Sequence, residues 1–313
     1  MDPEQFGYST LPLHHAPYET ISAETLGNVN AGKTAFITGA AQGIGAAIAE
    51  SLAQSGANLA ILDLKVENLK STKEACLAHG VKVNEYACDV TDAEKIKSTL
   101  DEVEKSLGPI DILVNNAGIF DQRPLLMSTF DQFWRQVEVN FKAPMMLMHQ
   151  ILPRMRDRGH GCIINIASRS GTVDVPMTMG YVTSKAALIR ATQTLQLEMA
   201  LDKLDPAIHI YALHPGGVRG AMGGASAPQD VREKYGKDMT DEAYFAHLFK
   251  DGPTLCGQTC AYLASGRGKE LRGLFLDCRQ DVNELYKIGR ETLIKDFRNQ
   301  LTVNFIDGYR NEP

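Results

Sequence analysis

From Lys33 to Asp277, short apolar runs alternate with longer segments in which apolar residues recur every three or four positions. The short runs predict buried strands and the longer ones amphipathic helices. The series reads strand 33–38, helix 43–55 stopped by Gly56, strand 58–63, helix 66–79 stopped by Gly80, strand 81–87, and helix 92–107 ending at Gly108-Pro109. It continues with strand 111–115, a long helix from about Phe130 to Met155, strand 161–167, helix 180–203, strand 207–213, helix 252–265 and strand 271–277. Pro144 lacks an N–H and should kink the long helix, or end its first segment a few residues after Asn140. Repeated βα alternation with short connections implies an α/β fold, a doubly wound parallel sheet of about seven strands with helices on both faces and right-handed crossovers.

The regular pattern lapses in three places. Residues 1–31 hold Pro12, Pro17 and no sustained period, and are expected to be an extension draped on the domain or partly disordered. Residues 32–280 then form one domain, with no internal repeat or composition break, and 281–313 a C-terminal tail with a helix around Asp281 to Arg298. Within the domain, the stretch 216–250 carries Gly216, Gly217, Gly220, Gly223 and Gly224 before mixed charged and aromatic residues. A glycine-hinged segment after a strand reads as a lid over a site.

Composition narrows the partners. At 44% hydrophobic residues the 313-residue chain can bury a large core, and a formal net charge of −6 argues against nucleic acid or an anionic membrane surface as the main partner. No run approaches the roughly 18 to 20 apolar residues of a membrane span, and Met1-Asp2-Pro3-Glu4-Gln5 lacks the basic-then-apolar order of a signal peptide, so a cytoplasmic protein is expected. The six scattered cysteines read as free thiols. Cys256 and Cys260 have no Cys or His cluster beside them, so helix packing is expected there and no metal. His149, His209 and His214 lie in apolar segments and read as core imidazoles.

Two motifs carry chemistry. In the first, Lys33 to Thr38 is an apolar strand feeding Gly39-Ala40-Ala41-Gln42-Gly43-Ile44-Gly45, and Ala46 to Leu52 is helix-like. Glycines allow a tight turn and close backbone approach, and the N–H groups and positive end of the new helix attract a pyrophosphate. The spacing is Gly-x-x-x-Gly-x-Gly rather than Gly-x-Gly-x-x-Gly, and alone it is equally compatible with a plain helix start. Asp63 ends the next strand eighteen residues beyond Gly45, where a dinucleotide-binding, Rossmann-type sheet places its ribose-binding carboxylate. In the second motif, Tyr181 and Lys185 stand one helical turn apart, thirteen residues beyond Ser168 at the end of an apolar strand. An ammonium beside a phenol favours the phenolate and should lower the tyrosine pKa from about 10. Carbonyl reduction needs hydride at carbon and a proton at oxygen, and such a tyrosine can supply the proton.

Taken in order, the motifs Thr38-Gly39-x-x-x-Gly43-x-Gly45, Asp89-Val90, Asn115-Asn116-Ala117-Gly118, Asn140, Ser168, Tyr181, Lys185 and Pro215-Gly216-Gly217-Val218 resemble those of the short-chain dehydrogenase/reductases, in the compact single-domain branch. The leader and the Leu271 to Gln280 ending resemble fungal members, many of which serve secondary metabolism. The resemblance implies that Gly39, Gln42, Gly43, Ile44 and Gly45 form the pyrophosphate turn, that Asp63 holds the adenosine ribose and that Asp89 and Val90 flank the adenine. It further implies that Asn116, Ala117 and Gly118 run beside the cofactor and that Pro215, Gly216 and Val218 meet the nicotinamide amide. Ser168 would then hydrogen-bond the reacting oxygen, Tyr181 exchange its proton, and Lys185 keep Tyr181 acidic while gripping the nicotinamide ribose. Asn140 would hold a proton-relay water, although a helix-interior Asn bonded to backbone fits its position equally well. A homotetramer or homodimer, paired through the long helix and the Tyr181 helix, is the family's usual assembly.

Cofactor choice follows from charge. A 2′-phosphate beside Asp63 is repelled unless a cation intervenes, and Gln42 and Leu64 occupy the positions where NADP-using relatives carry a base; NAD(H) is therefore favoured, with Lys65 one step further leaving NADP(H) open. Gly220 departs from the family's usual Thr. Met222, Tyr235, Met239, Tyr244, Phe245 and Phe249, with Met177 and Met179, supply an apolar wall suited to a hydrophobic ketone or secondary alcohol, or else they simply pack the lid. The few lid cations, Arg219, Arg232, Lys234 and Lys237, disfavour anionic substrates. Two rival classes stand beside the redox reading: a cofactor-retaining enzyme of dehydration, isomerisation or cyclisation, and an NAD(H)-binding regulatory protein.

Overall fold

The computed structural model describes residues 11–220, 222, 227–236 and 249–302. Its centre is a parallel sheet of β1 (Thr34–Thr38), β2 (Asn58–Asp63), β3 (Val83–Ala87), β4 (Ile110–Asn115), β5 (Gly161–Ile166), β6 (Ile208–His214) and β7 (Phe275–Asp277), in the order β3-β2-β1-β4-β5-β6-β7. All residues of β1 and β5 are buried, which explains why they read as continuous rather than alternating apolar runs. The chain leaves β1 outward to β3 and returns to β4 on the other side of β1. That reversal opens a crevice at the carboxyl ends of β1 and β4, the position where doubly wound sheets bind ligands.

Helices cover both faces. On one side α2 (Gly43–Gln54) packs against α9 (Pro253–Ala264) over Ile37, Ile48, Leu52 and Ile61, with Cys256 and Cys260 in the same cluster, so the paired cysteines serve packing. A Cβ on Gly257 would stand 2.4 Å from Ser51 Oγ and 2.5 Å from Ala47 O, so these helices approach this closely only because the position is glycine. On the other side α4 (Ala93–Leu107), α6 (Ala143–Arg158) and α7 (Met179–Leu201) bury Phe36, Leu62, Ile96, Leu113, Ile151 and Leu188. His209 is buried and His214 largely so, whereas His149 is exposed on α6; its neighbours in sequence are apolar, but the helix turns it outward.

Several elements are shorter or more broken than periodicity predicts. The expected helix 66–79 is a 3₁₀ turn, Val66–Leu69, followed by α3 (Lys70–Leu77). The long helix divides into α5 (Phe130–Val137), opened by a Thr129/Gln132 capping box, a π turn at Glu138–Lys142, and α6, with Pro144 in its first turn. The proline thus acts where expected, because it has no N–H to give the Asn140 carbonyl. Strand β7 spans three residues rather than seven, and the C-terminal helix is split at Gly289, φ 81°, into α10 (Val282–Ile288) and α11 (Arg290–Lys295). The N-terminal segment, with α1 (Ala23–Leu26), buries Ile21 and Leu26 in the core, and Leu13 bridges antiparallel to Gln280. From the expected lid, α8 (Gln229–Tyr235) is described. Among the described residues no helix is long and apolar enough to cross a membrane.

Candidate active site

The glycine turn lies at the mouth of the crevice, and its glycines have different duties. Gly39 is left-handed, φ 65°, and a Cβ on it would lie 2.9 Å from Ala117 Cα. Gly45, in the first turn of α2, faces still tighter limits: its Cβ would stand 2.0 Å from Gly39 O and 2.5 Å from Asn116 Nδ2. Gly43 is also left-handed, φ 56°, but no described residue comes within 4 Å of a Cβ placed on it, and the residue is exposed. Gly39 and Gly45 therefore let the turn close on itself, while Gly43 keeps its outer face bare. Gln42 caps α2 without a side-chain hydrogen bond, the first turn holds no acidic residue, and Ile44 is half-buried. A bare backbone face before an uncapped helix N-terminus fits a pyrophosphate.

Asn116 and Ala117 hold this turn to β4. The Asn116 amide donates to Thr38 O at 3.0 Å and Gly39 O at 2.9 Å, and Thr38 Oγ1 accepts from both the Asn116 and Ala117 N–H at 3.0 Å. Asp63 ends β2, partly exposed, with Oδ1 accepting from Leu64 N at 2.9 Å. Asp89 is more engaged than expected: it accepts from Thr91 N–H at 2.9 Å, from Thr91 O–H at 2.7 Å and from Arg135 at 3.0 Å. Burial alone would raise its pKa, but those donors outweigh it and hold the carboxyl below the usual range. Val90 is buried against Val139, Ala143 and Ala117.

The π turn brings Asn140 under the next loop. Its Oδ1 accepts from Ile119 N–H and its amide donates to Ile119 O, both at 2.8 Å, so the side chain takes the backbone-bonded role. A Cβ on Gly118 would lie 3.1 Å from Asn140 Oδ1, and that glycine lets the two meet. π turns inside α-helices frequently mark functional sites.

Ser168, just past β5, and the first two turns of α7 bring three side chains together. The Ser168 hydroxyl lies near enough to Tyr181 to lower its pKa, and it accepts from Ser170 N–H at 3.1 Å, which fixes its position. Lys185 Nζ is buried, donates to Ile166 O at 2.7 Å and lies 5.7 Å from the Tyr181 ring centroid. Burial pushes its pKa down to about 8. The expected depression of Tyr181 is reversed: burial raises the phenol above its ordinary value, against a smaller lowering by Ser168. The physical reason is that the ammonium is spent on the Ile166 carbonyl and is itself disfavoured by burial. Part of Tyr181 stays open to solvent, and Phe120 meets its ring edge-on at 5.2 Å.

Opposite Ser168, β6 runs through His214 into Pro215 and Gly216, both buried, and to Val218, which forms a parallel bridge with Asp251. Gly216 is left-handed, φ 84°. Gly220 has no neighbour within 4 Å of a Cβ position among the described residues. Of the apolar wall, Met222, Tyr235 and Met179 are exposed and Met177 and Phe249 partly so; Met239, Tyr244, Phe245, Lys237, Gly223 and Gly224 lie outside the described residues. Phe120, Arg135 and Asp251 are site neighbours that sequence reasoning missed. None of the three belongs to a motif that the sequence displays, and only the place of Asp251 just before Gly252-Pro253, at a helix start, could have drawn attention to it.

The family model described as short chain dehydrogenase matches residues 33–230. A short chain dehydrogenase of Pseudocercospora fijiensis is 33% identical over 225 residues, 71% of this chain and 71% of that one. Among solved structures, an NAD+-bound xylitol dehydrogenase superposes with a TM-score of 0.71 at 27% identity, covering 80% of this chain and 99% of that chain. A metagenomic short-chain oxidoreductase in complex with NADP gives 0.61 at 27%, covering 76% and 92%.

Proposed function

The chain belongs to the short-chain dehydrogenase family, and on that footing we propose that it interconverts a hydrophobic ketone and the corresponding secondary alcohol with NAD(H), using Tyr181 as the general acid and base. The observation that carries this reading is the meeting of Ser168, Tyr181 and Lys185 at the carboxyl end of β5, on the same edge of the sheet as the glycine turn and separated from it by β4. A nicotinamide held there would supply or accept the hydride. The chain's own residues manage the oxygen and its proton. Ser168 donates to the carbonyl oxygen and orients it beside the Tyr181 hydroxyl. A phenol held in its protonated form is suited to give a proton to the developing alkoxide. Lys185, hydrogen-bonded to Ile166 O and poised near neutrality by burial, can return a proton to Tyr181 after each turnover. Asn140 fixes the Ile119 turn, and its main-chain carbonyl, which cannot accept from Pro144, is the candidate to hold a relay water.

Asp63 supports NAD(H) over NADP(H), since no base stands at Gln42 or Leu64 to neutralise a 2′-phosphate. The exposed Met222, Tyr235 and Met179 support a hydrophobic substrate, and a role in secondary metabolism is part of the same proposal. The test follows 340 nm absorbance over a panel of hydrophobic ketones and alcohols, with both reduced cofactors titrated against protein fluorescence. Wild type should turn over at least one member and bind NADH more tightly than NADPH. Tyr181→Phe should keep NADH affinity within about twofold and lose about 100-fold or more in kcat, the scale of general acid–base catalysis. Unchanged turnover in that variant defeats the assigned role of Tyr181.

A further inference from the structure

A network of buried charges lies behind the Pro215–Val218 turn, outside every residue given a role above. At its centre is Asp251, whose side chain is 1% exposed. Its Oδ2 accepts from Gly217 N–H at 2.5 Å, its own N–H donates to Gly217 O at 2.9 Å, and it bridges Val218 in parallel register. The carboxylate also packs against Gly216: a Cβ there would lie 2.8 Å from Oδ2. One residue thus fixes three successive backbone positions of the turn.

The other carboxylate oxygen, Oδ1, meets His15 Nδ1 at 2.5 Å. A carboxylate only accepts, so Nδ1 carries the proton. His15 reaches this place because the N-terminal segment is tied to the end of β7: His14 N–H donates to Arg279 O at 2.8 Å, Leu13 bridges Gln280, and Gly252 N–H donates to His15 O at 3.5 Å. Arg279 stands 3.9 Å from Asp251 but is turned mainly to Asp277, at 2.7 and 2.9 Å. Asp277 in turn lies 3.7 Å from Arg169, the residue after Ser168. The network therefore abuts both walls of the crevice, the Ser168 wall through Arg169 and the Gly216–Val218 wall through Asp251. A carboxylate at such depth depends on every donor that meets it, so the backbone geometry of the turn and the position of His15 are coupled.

We infer that Asp251 is a positioning residue for the nicotinamide side of the site and that His15, from the N-terminal segment, holds it in place. The inference rests on the dinucleotide reading above. It makes residues 13–15 part of the working site rather than a passive extension.

The test uses the full chain and calorimetric titration with two ligands, NADH and ADP-ribose. ADP-ribose spans the glycine turn and Asp63 but carries no nicotinamide. Asp251→Asn and His15→Ala should each weaken NADH by about tenfold, the scale of a lost charge-assisted hydrogen bond, and leave ADP-ribose within about twofold. His15→Asn, whose amide can place a donor where Nδ1 stood, should recover most of the NADH affinity. A loss shared equally by both ligands marks a general structural effect and overturns the inference, as does full NADH affinity in both variants. If Asp251→Asn does not fold, the His15→Ala and His15→Asn pair, at a half-exposed position, decides by the same criteria. A wild type that binds neither ligand overturns the dinucleotide reading and this inference with it; a wild type that binds both alongside unaffected variants overturns only the positioning role.

Discussion

Lys185 illustrates how a working site costs stability. Its ammonium is buried with a carbonyl for a partner, and its pKa falls from 10.5 to about 8. A lysine whose folded pKa lies below its unfolded value binds fewer protons when folded, so between about pH 8 and 10.5 stability rises with pH; below about pH 8 the full penalty is present. The shift corresponds to roughly 3 kcal/mol at neutral pH, to order of magnitude. Lys185→Met should therefore raise Tm at pH 7 while abolishing turnover, with a gain that shrinks as the pH approaches 10, measured by melting curves at pH 7, 8.5 and 10. A gain that is flat across that series refutes the charge-burial origin. The triad was legible in the sequence because a one-turn spacing and a strand end fix relative positions. The direction of the Tyr181 shift was not, since it depends on Lys185 reaching Ile166 O and on how deeply both groups sit.

At the scale of elements, the glycine turn shows which parts of a motif are structural and which are exposed to ligand. Gly45 cannot take a side chain without displacing the Gly39 carbonyl, a backbone atom of the same turn. Gly43 can take one sterically, but only by holding a left-handed backbone that disfavours alanine by about 1 kcal/mol. Gly45→Ala should thus lose stability by roughly 1–3 kcal/mol or fail to fold. Gly43→Ala should melt within a few degrees of wild type yet bind NADH at least about tenfold more weakly, because the methyl group enters the bare face of the turn. Chemical denaturation and NADH titration of the two variants check this; equal effects on stability erase the distinction. The sheet and most helices could be read from periodicity because β1, β2, β4 and β5 are apolar on both faces and helices end at glycines such as Gly56 and Gly80. The breaks could not be read as well. Gly289, which separates α10 from α11, is a stop of the same kind that the continuous helix expected over 281–298 passed over, whereas at β7, which shrinks to Phe275–Asp277, tertiary packing sets the boundary.

For the whole molecule, the outward side of α5 and α7 bears on assembly. The two helices pack so closely that a Cβ on Gly180 would lie 2.8 Å from Gln136 Nε2, and they leave Phe130, Trp134, Leu197 and Leu201 exposed, the last at 82%. Phe130 and Trp134 stack at 5.9 Å beside a groove of about 630 Å³ whose other wall is Ile119, Phe120 and Asp121. Exposed apolar side chains of this size on adjacent helices suit a subunit interface, for which about 800 Å² per partner is typical. A dimer or tetramer is accordingly expected by light scattering after size-exclusion chromatography. Trp134→Glu combined with Leu201→Glu should shift it toward monomer by placing unpaired charges at the contact. Phe120 lies in the groove and also touches Tyr181, so dissociation should loosen the Tyr181 ring and lower kcat with little change in NADH affinity, since neither the glycine turn nor the Gly216–Val218 turn lines the groove. A monomeric wild type removes the interface, and a dissociated variant with undiminished kcat shows that assembly and the Tyr181 environment are independent.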